Sequence, residues 1–505
     1  MQGPAVERGD LVTGTVVTID GSSLTCAQVA AVARQRATVA VAATAEAAAG
    51  AAWQVAQEVA AKQPVYGRTT GVGANHVVPI SERDRAEHGF RLLRSHAAGT
   101  GPLLAPEVAR GMLAIRANQL GTGGSGVDLA LLAVLADAVN RGFTPPVPLY
   151  GAIGTGDLTA LASTGLCLLG EREWQNGTGP PPRFAISTSE ALGFINSSAA
   201  TLSDAALACH DLTGLLRSAI PVACLSLLAV HGSLEPYAEA VHLARPHPGQ
   251  QRVAQQVRAI FAADPASAKR VQDPFGYRAF PQVHGPALDS VEHATRVIEA
   301  ELNGSPENPL IDVAGHAVWH NGNFHTAYVG LALDAIRAAL FQTAALSVAR
   351  LGTLVEPAFT GLNAFVAEDP ASSGIMILEY VAHSAVADIR RFAAPAALGG
   401  AVLSRGVEEH AGFGTQSARA TSDAVAAYRA VLGCELMAAT RALRMQGRLP
   451  ADGGRLRWAY DLADSALEAG TEDRPLDNDL KAAQTVLDEF ATMDTTLATD
   501  VTESR

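Results

Sequence analysis

The chain has 505 residues and a formal net charge of −13. Its length permits a large core, and its negative charge argues against a nucleic-acid backbone as a partner. Alanine is abundant and aromatic residues make up only 5%, which favours helices over sheets. Five scattered cysteines form no CxxC pair, so we expect buried thiols, a reducing compartment and no metal site. We find neither a signal-peptide pattern nor an apolar run long enough to span a bilayer, so we expect a cytoplasmic protein without a membrane partner.

The N-terminal part of the chain mixes helix signals with turn signals. Residues 11–19 form a β-like run, and Thr25 is placed to cap a first helix from about Ala27. The alanine- and valine-rich residues 27–61 predict uninterrupted helix. Three glycines in residues 63–75 (QPVYGRTTGVGAN) break that pattern and predict a loop.

Most of the remaining chain shows the 3.6-residue spacing of apolar side chains that is typical of helices. Helices are predicted from Ser81 to about residues 95–99, and at 105–120, 127–141, 158–169, 189–231, 285–302, 324–356, 372–397 and 419–446. Several of these exceed twenty residues and carry few charges, so we expect them inside a bundle. Residues 450–454 open a more polar helical region at the C-terminus.

A glycine-rich loop precedes the predicted helix at residues 158–169. Residues 148–162 (PLYGAIGTGDLTALA) place three glycines within six residues and Asp157 where the helix begins. Glycine permits tight turns, and a carboxylate suits a helix N-terminus. Such a loop is a place where an anion site or an electrophile can be built. The alternative is an ordinary tight turn before a core helix. A second glycine-rich stretch, residues 121–126, follows no strand and lacks the Gly-Lys-Ser/Thr of a phosphate loop.

Residues 151–158 (GAIGTGDL) resemble the signature loop of the histidine and aromatic amino-acid ammonia-lyases and aminomutases. The loop of that family reads Gly-Ser-hydrophobic-Gly-Ala-Ser-Gly-Asp-Leu. Its Ala-Ser-Gly triad cyclises and loses water to form methylidene-imidazolone, a built-in electrophile. The loop of this chain is one residue shorter and contains no serine.

Two alignments of the shortened loop are open. In the first, Thr155 is the first triad residue and the serine is deleted, so no ring can form. In the second, Gly154-Thr155-Gly156 is the triad, and dehydration of Thr155 would give an alkene with an extra methyl group. A third reading is that a chemically modified serine is missing from the written sequence. We expect ordinary backbone at this place and no cofactor.

Three further segments resemble family motifs that contact the substrate. Residues 65–73 resemble Tyr-Gly-x-Asn-Thr-Gly-Phe-Gly, in which the tyrosine is the catalytic acid/base. This implies that role for Tyr66, and a phenol suits it only if its pKa is pulled down from about 10. His96 stands in a Ser-His-Ala-Ala-Gly segment like the selectivity segment of histidine lyases. Asn196 matches the asparagine of Leu-Leu-Asn-Gly-Thr. The alternatives are a packing tyrosine, a core histidine and a buried amide in a hydrogen-bond network.

Residues 272–283 (QDPFGYRAFPQV) resemble Gln-Asp-x-Tyr-x-x-Arg followed by Pro-Gln. Arg278 thereby matches the arginine that grips the substrate carboxylate, a bidentate task suited to guanidinium. The alternative is a surface arginine on a loop. Phe275 replaces the family tyrosine. In an extended segment residues two apart share a face, so Tyr277 could supply the missing hydroxyl.

Two later segments also resemble the family. Asn323 belongs to Asn-Gly-Asn-Phe-His, similar to Gly-Gly-Asn-Phe-His, which is implied to shape the site and the central helices. Glu408 belongs to Val-Glu-Glu-His, similar to the Gln-Glu-Asp-His of histidine lyases, where the acidic residue faces the substrate side chain. The alternative for Glu408 is a solvated charged turn. His320 and His325 have no evident third ligand, so no metal site is expected.

The resemblance runs in family order from Tyr66 to His410. It implies a mainly α, fumarase/aspartase-like ammonia-lyase fold with a long central helical bundle, and a homotetramer whose sites combine loops from more than one subunit. We expect an N-terminal lobe with the signature loop at 1–200, the central bundle at 201–450 and a C-terminal helical extension at 451–505.

Three functions remain open on this scaffold, each with a small molecule as the partner. The one we expect is acid/base chemistry without the ring (elimination, isomerisation or cyclisation) on a small amino-acid-like carboxylate. It would use Tyr66, Thr155, Gly156 and Glu408 as catalytic residues. The second is a ring-dependent ammonia-lyase or aminomutase for histidine or an aromatic amino acid. The third is an inactive binding homologue. Substrate binding is implied for a set of residues: His96, Asn196, Phe275, Arg278 and Asn323.

Overall fold

A computed structural model of the chain describes residues 14–187, 189–264 and 268–493. Helices make up most of it, in agreement with the prediction. In chain order the α-helices are α1 (Cys26–Ala33), α2 (Ala43–Ala60), α3 (Glu82–His96), α4 (Pro106–Leu120), α5 (Ala130–Asn140), α6 (Leu158–Leu169), α7 (Ala191–Ile195), α8 (Ala199–Ala229), α9 (Glu239–Leu243), α10 (Pro248–Ile260), α11 (Phe275–Arg278), α12 (Phe280–Leu302), α13 (Ala327–Leu354), α14 (Pro357–Thr360), α15 (Ile377–Phe392), α16 (Gly414–Gln446), α17 (Arg455–Ala466) and α18 (Asp477–Phe490).

The strands are short and pair in twos. They are β1 (Val16–Ile19), β2 (Thr38–Val41), β3 (Thr100–Leu103), β4 (Phe143–Thr144), β5 (Pro148–Tyr150), β6 (Gln175–Asn176), β7 (Leu310–Asp312) and β8 (Ala317–Trp319). β1 and β2 are parallel, with Val16 opposite Thr38 and Ile19 opposite Val41. The pairs β3–β5, β4–β6 and β7–β8 are antiparallel.

The start of the chain confirms one prediction and corrects another. Thr25 caps α1, because its hydroxyl accepts the Gln28 N–H at 3.2 Å and its own N–H donates to Gln28 Oε1 at 2.9 Å. The uninterrupted helix predicted over residues 27–61 was wrong, since β2 separates α1 from α2. The β-branched residues of β2 alternate in exposure and complete the pair with β1. Residues 11–13 of the predicted run lie outside the described residues.

The helix predicted over residues 189–231 is divided at Asn196, where α7 ends before α8 begins. The hydroxyl of Ser197 accepts the Ala199 N–H at 3.0 Å, so a side chain takes the place of a helical carbonyl at this point. The division matters because it puts the buried Asn196 directly after the end of α7 rather than within a helix.

The described chain falls into two compact units. The first contains residues 14–210, 295–333 and 395–419, and the second contains residues 211–294, 334–394 and 420–493. Each has its own core of buried apolar side chains. The five cysteines are buried and form no disulfide within the described residues, which confirms the expected buried thiols. The division at 1–200, 201–450 and 451–505 stays a prediction.

Two segments are long and apolar enough to cross a membrane, by length and composition alone. The expectation that the chain has no such apolar run was therefore wrong. The two segments are Ala191–Ala229, which joins α7 and α8, and α13. Of their most apolar windows, 83% and 56% respectively is buried inside the protein. Because core helices have the same length and composition, these segments alone do not identify a membrane span.

Candidate active site

The first unit contains a cavity of about 720 Å³ that is lined by four of the predicted site residues. Tyr66, Thr155, Asn196 and Glu408 come from four separate parts of the chain and meet at this cavity. The remaining lining residues are apolar or are able to form hydrogen bonds: Pro64, Thr70, Gly73, His76, Leu158, Leu192, Asn308, His320, Phe324, His325, Val407, Glu409 and His410. A concave site with a few convergent polar groups is the usual form of a small-molecule site.

Neighbouring segments hold the signature loop by donating hydrogen bonds to its carbonyl groups. The Gly154 carbonyl accepts two hydrogen bonds from Thr326, one from its N–H at 3.1 Å and one from its hydroxyl at 2.8 Å. The two carbonyls before it accept the Phe413 N–H at 2.8 Å and the Gln416 side-chain amide at 2.9 Å. The loop is therefore fixed by the residue before α13 and by the start of α16.

Two glycines give the loop its course. Gly154 and Gly156 have φ angles of +88° and +105°, which favour glycine. A Cβ added to Gly154 would lie 2.6 Å from both the Gly414 nitrogen and the Thr326 hydroxyl oxygen. Any larger residue at position 154 would therefore displace the loop. Thr155, between the two glycines, is half-buried and lines the cavity.

Asp157 was predicted to lie where the helix begins, and this placement is confirmed, but its side chain does not cap that helix, α6. Its carboxylate instead accepts the N–H and the hydroxyl of Thr201 at 2.7 and 2.9 Å, in the first turn of α8. Burial raises the pKa of Asp157 to about 6, and the bonds from Thr201 oppose that rise. The loop and the start of α8 thus share one carboxylate.

Two features of residues 154–156 favour the second alignment of the shortened loop, and the choice between the alignments stays a prediction. Ring closure would require attack of the Gly156 amide nitrogen on the Gly154 carbonyl carbon. Two donors polarise that carbonyl. The Gly156 N–H, in turn, donates no hydrogen bond within the described residues. An electron-poor carbonyl and an unengaged amide two residues apart are what such a closure needs.

Tyr66 is half-buried, and its environment disfavours the phenolate. Its hydroxyl oxygen accepts the Gly73 N–H at 2.8 Å. Burial raises the pKa of Tyr66, the Gly73 bond opposes this, and the charge of Glu408 raises it further. The lowered pKa that a resting base would need is therefore not present. A Cβ added to Gly73 would lie 3.4 Å from Glu408 Oε1, so the carboxylate and the phenol share one wall of the cavity.

Residues 65–73 form the tyrosine loop, and Arg68 takes the position in it where the family is variable. The Arg68 side chain is buried. Its guanidinium donates to the Ser125 and Gly126 carbonyls at 3.1 and 2.6 Å. Burial lowers the pKa of Arg68 to about 10, and Glu190 opposes this. The side chain ties the tyrosine loop to the glycine-rich stretch at residues 121–126. No pattern in the sequence indicated this, because the partners are backbone carbonyls.

Asn196 is both a lining residue and a member of a network. Its amide donates to the Asn308 carbonyl at 2.8 Å. Beneath this contact, Arg116 donates to the Phe194 carbonyl and to Glu307 Oε1, both at 2.9 Å. Arg116 and Glu307 are 0% and 1% exposed. Burial lowers the pKa of Arg116 and raises that of Glu307, and the attraction of each for the other opposes both shifts.

Sequence reasoning missed this buried pair. Its members are 191 residues apart, so neither helix periodicity nor local charge spacing brings them together. The available signal was an arginine among apolar residues in α4, together with a glutamate directly before Asn308 and Pro309.

Glu408 lies in an exposed turn whose backbone bridges to Leu403. Beside it, His325 Nε2 and His410 Nδ1 lie 2.9 Å apart. Burial lowers the pKa of His325, and His410 lowers it further. One ring of the pair must donate and the other accept, so the pair is stable only while one imidazole is neutral.

Three predicted residues of the first unit are not among those that line the cavity. His96 ends α3, and its Nδ1 lies 2.9 Å from the Leu92 carbonyl oxygen. Asn323 is exposed, and its N–H donates to Asn321 Oδ1 at 2.8 Å. Gly156 shapes the loop without lining the cavity. The substrate-binding roles of His96 and Asn323 and the catalytic role of Gly156 stay predictions.

Phe275 and Arg278 belong to the second unit, where one prediction was wrong. Residues 275–278 form the helical turn α11 rather than an extended segment. Phe275 is 65% exposed, and the Arg278 guanidinium lies 4.4 Å from its ring centroid. Tyr277 is 1% exposed, and its hydroxyl lies 2.6 Å from Thr353 Oγ1. Because residues three apart share a helix face, Phe275 and Arg278 stay together while Tyr277 turns into the core.

The chain is similar in sequence and in structure to known ammonia-lyases and to an aminomutase. The profile of the family described as aromatic amino acid lyase matches residues 24–465. The chain is 32% identical to the histidine ammonia-lyase of Myxococcus xanthus over 94% of its own length and 96% of that protein. It is similar in structure to the histidine ammonia-lyase of Trypanosoma cruzi, with a TM-score of 0.86, 28% identity and 94% of each chain covered. The tyrosine aminomutase of Streptomyces globisporus gives a TM-score of 0.87 at 28% identity, with 94% of this chain and 97% of that chain covered.

Proposed function

The chain belongs to the aromatic amino acid lyase family, and we propose that it is a carbon–nitrogen lyase that eliminates ammonia from histidine or a closely similar amino acid. The observation that carries the proposal is the meeting of Tyr66, Thr155, Asn196 and Glu408 at one cavity. The choice of histidine is supported by the names of the relatives, several of which are histidine ammonia-lyases at 32–35% identity. It is further supported by Glu408, an acidic group suited to an imidazole N–H.

In this proposal the tyrosine is the proton-transfer group. The pKa of Tyr66 is raised in the unliganded cavity, so the phenol is neutral there. A substrate ammonium group beside it would favour the phenolate and lower that pKa. Tyr66 would then take the β-proton, while Glu408 accepts from the substrate side chain and Asn196 orients the amine. When formed, a dehydrated ring at residues 154–156 supplies the electrophile that makes the amine or the β-proton easier to remove.

The carboxylate of the substrate needs a cation. We propose Arg278 for this task in an assembled homotetramer, in line with the family resemblance. Its guanidinium lies over the exposed Phe275 ring, and its buried Nε has no hydrogen-bond partner among the described residues. An Arg278→Lys variant keeps the charge but loses the bidentate geometry, so it should raise KM more than it lowers kcat.

The first test measures the turnover of histidine through the ultraviolet absorbance of the product urocanate. We expect wild type to be active and Tyr66→Phe to lose at least about a hundredfold in kcat, because general acid–base groups contribute about 10²–10⁴-fold. Tyr460→Phe is the matched control, since it removes a buried hydroxyl that bonds Asp464 at 3.2 Å outside the cavity lining. Full activity of Tyr66→Phe would contradict the proposal.

A second candidate is ring-free acid/base chemistry on a small amino-acid-like carboxylate. The missing serine favours it. Intact mass separates the two, because ring formation removes two waters from the chain. An unmodified mass together with turnover that depends on Tyr66 and Glu408 would favour this candidate. Ligand binding without any turnover would instead favour an inactive homologue.

A further inference from the structure

The side chain of Thr326 makes a contact that the proposed reaction does not use. Thr326 is 1% exposed and directly precedes α13. At a helix start, a threonine hydroxyl commonly accepts an N–H of its own helix. Here the hydroxyl donates instead to the Gly154 carbonyl at 2.8 Å, alongside the Thr326 N–H at 3.1 Å.

Two donors on one carbonyl oxygen are the geometry that stabilises an oxyanion. Removing one such donor in an enzyme costs about 10²–10³-fold in rate. Gly154 is also buried, and its Cβ position is crowded by the Gly414 nitrogen and by Thr326 itself. Exclusion of water strengthens the hydrogen bonds. The N-terminus of the 28-residue helix α13 adds positive partial charge at the same oxygen.

We propose that Thr326 is the positioning residue for an autocatalytic ring closure at Gly154-Thr155-Gly156. This inference rests on the proposed function and deepens it. The Gly156 nitrogen forms a bond to the Gly154 carbonyl carbon, and the charge that develops on the carbonyl oxygen is held by the two donors of Thr326. That oxygen leaves as water with the amide hydrogens of Thr155 and Gly156. The Thr155 hydroxyl leaves as a second water with the Cα hydrogen of the same residue, so no oxidant is needed.

The Gly156 amide, which supplies the attacking nitrogen, is the second feature of the loop that favours ring closure. The preceding loop carbonyls and the N–H of Asp157 are all hydrogen-bonded, whereas the Gly156 N–H is without a partner in the described residues. Hydrogen bonds therefore restrain the carbonyls of residues 152–154 and the residue after the nucleophile, while the nucleophile itself is unengaged. The extra methyl group of Thr155 would remain on the product alkene and would line the cavity.

The experiment is a time course of intact mass and ultraviolet absorbance after cell-free synthesis of the full chain. Wild type and Thr326→Ser, which keeps the hydroxyl, should both lose two waters at similar rates. Thr326→Val keeps the shape and the N–H but should lose them on the order of a hundredfold more slowly. Thr326→Ala, which introduces no bulk, should behave like the valine variant. Thr164→Val is the control, because it removes a buried hydroxyl that bonds only a helical carbonyl at 3.0 Å.

Equal rates for Thr326→Ser, Thr326→Val and Thr326→Ala would overturn the inference and leave the lyase proposal intact. A wild-type chain that keeps its full mass yet consumes histidine would also overturn the inference alone. A wild-type chain that keeps its full mass and turns over no amino acid would overturn both. Circular dichroism on each sample verifies that the variants are folded before the rates are compared.

Discussion

Each unit of the protein contains a fully buried arginine–glutamate pair, and the two pairs are built differently. In the second unit, Glu435 Oε1 accepts Arg350 Nε and the Ser226 hydroxyl at 2.6 and 2.7 Å. Its Oε2 accepts Arg350 Nη2 at 2.8 Å and the Ser347 hydroxyl. In the first unit, Glu307 has one bond from Arg116, and its Oε2 has no partner among the described residues.

The pKa directions follow that difference. Burial would lower the pKa of Arg350, but the paired Glu435 carboxylate raises it above its ordinary value. Burial does lower the pKa of Arg116, because the single bond to Glu307 does not outweigh desolvation. The second-unit pair joins helices to one another. The first-unit pair uses its guanidinium on backbone carbonyls near Asn196, so its task is to hold the cavity wall.

Breaking the satisfied pair should have the largest effect. Glu435→Leu leaves the Arg350 charge buried without its partner, and we expect a loss of about 3–5 kcal/mol in the free energy of unfolding. The measurement is the thermal midpoint, compared with the double variant Arg350→Met/Glu435→Leu. The double variant should recover most of the loss. If the single variant melts like wild type, the pair does not have the role that its geometry indicates.

Asp157 is a third buried carboxylate, and it is held by an amide and a hydroxyl instead of a guanidinium. Its pKa is raised from 3.8 to about 6, so the folded state binds its proton more tightly than the unfolded state. Its contribution to stability is therefore full below about pH 4 and is lost as pH rises to about 6, by about 3 kcal/mol. The difference in unfolding free energy between wild type and Asp157→Asn should change by that amount between pH 4 and pH 7. A difference that does not change with pH would contradict this.

The smallest expected effect on stability comes from the first-unit pair. Glu307→Gln can still accept from Arg116, and Arg116 keeps the Phe194 carbonyl, so we expect a loss of about 1–3 kcal/mol. The pair also supports the Asn196–Asn308 contact. We therefore expect the KM for the substrate to rise even though the loss of thermal stability is small. A loss as large as that of Glu435→Leu, with an unchanged KM, would remove the distinction between the two pairs.

The sequence predicted much of the fold, because family motifs in the right order are specific and long apolar helices have a clear period. The same motifs predicted the residues that meet at the cavity, including Tyr66 and Glu408. β2 was missed because alanine- and valine-rich sequence satisfies both helix and strand, and the pairing with β1 decides between them. The partner of Asp157 was missed because it lies on another helix. The local conformation at Tyr277 was missed because a four-residue helix leaves no periodic signal.

The carboxylate shared between the signature loop and the first turn of α8 has a consequence for measurement. Thr201 N–H is bound to Asp157, which follows Gly156 directly in the chain. Any covalent change at residues 154–156 that moves Asp157 alters the protection of that one amide against exchange with deuterated solvent. The start of a 31-residue helix thereby reports the chemical state of a loop that has no spectroscopic signal of its own before it reacts.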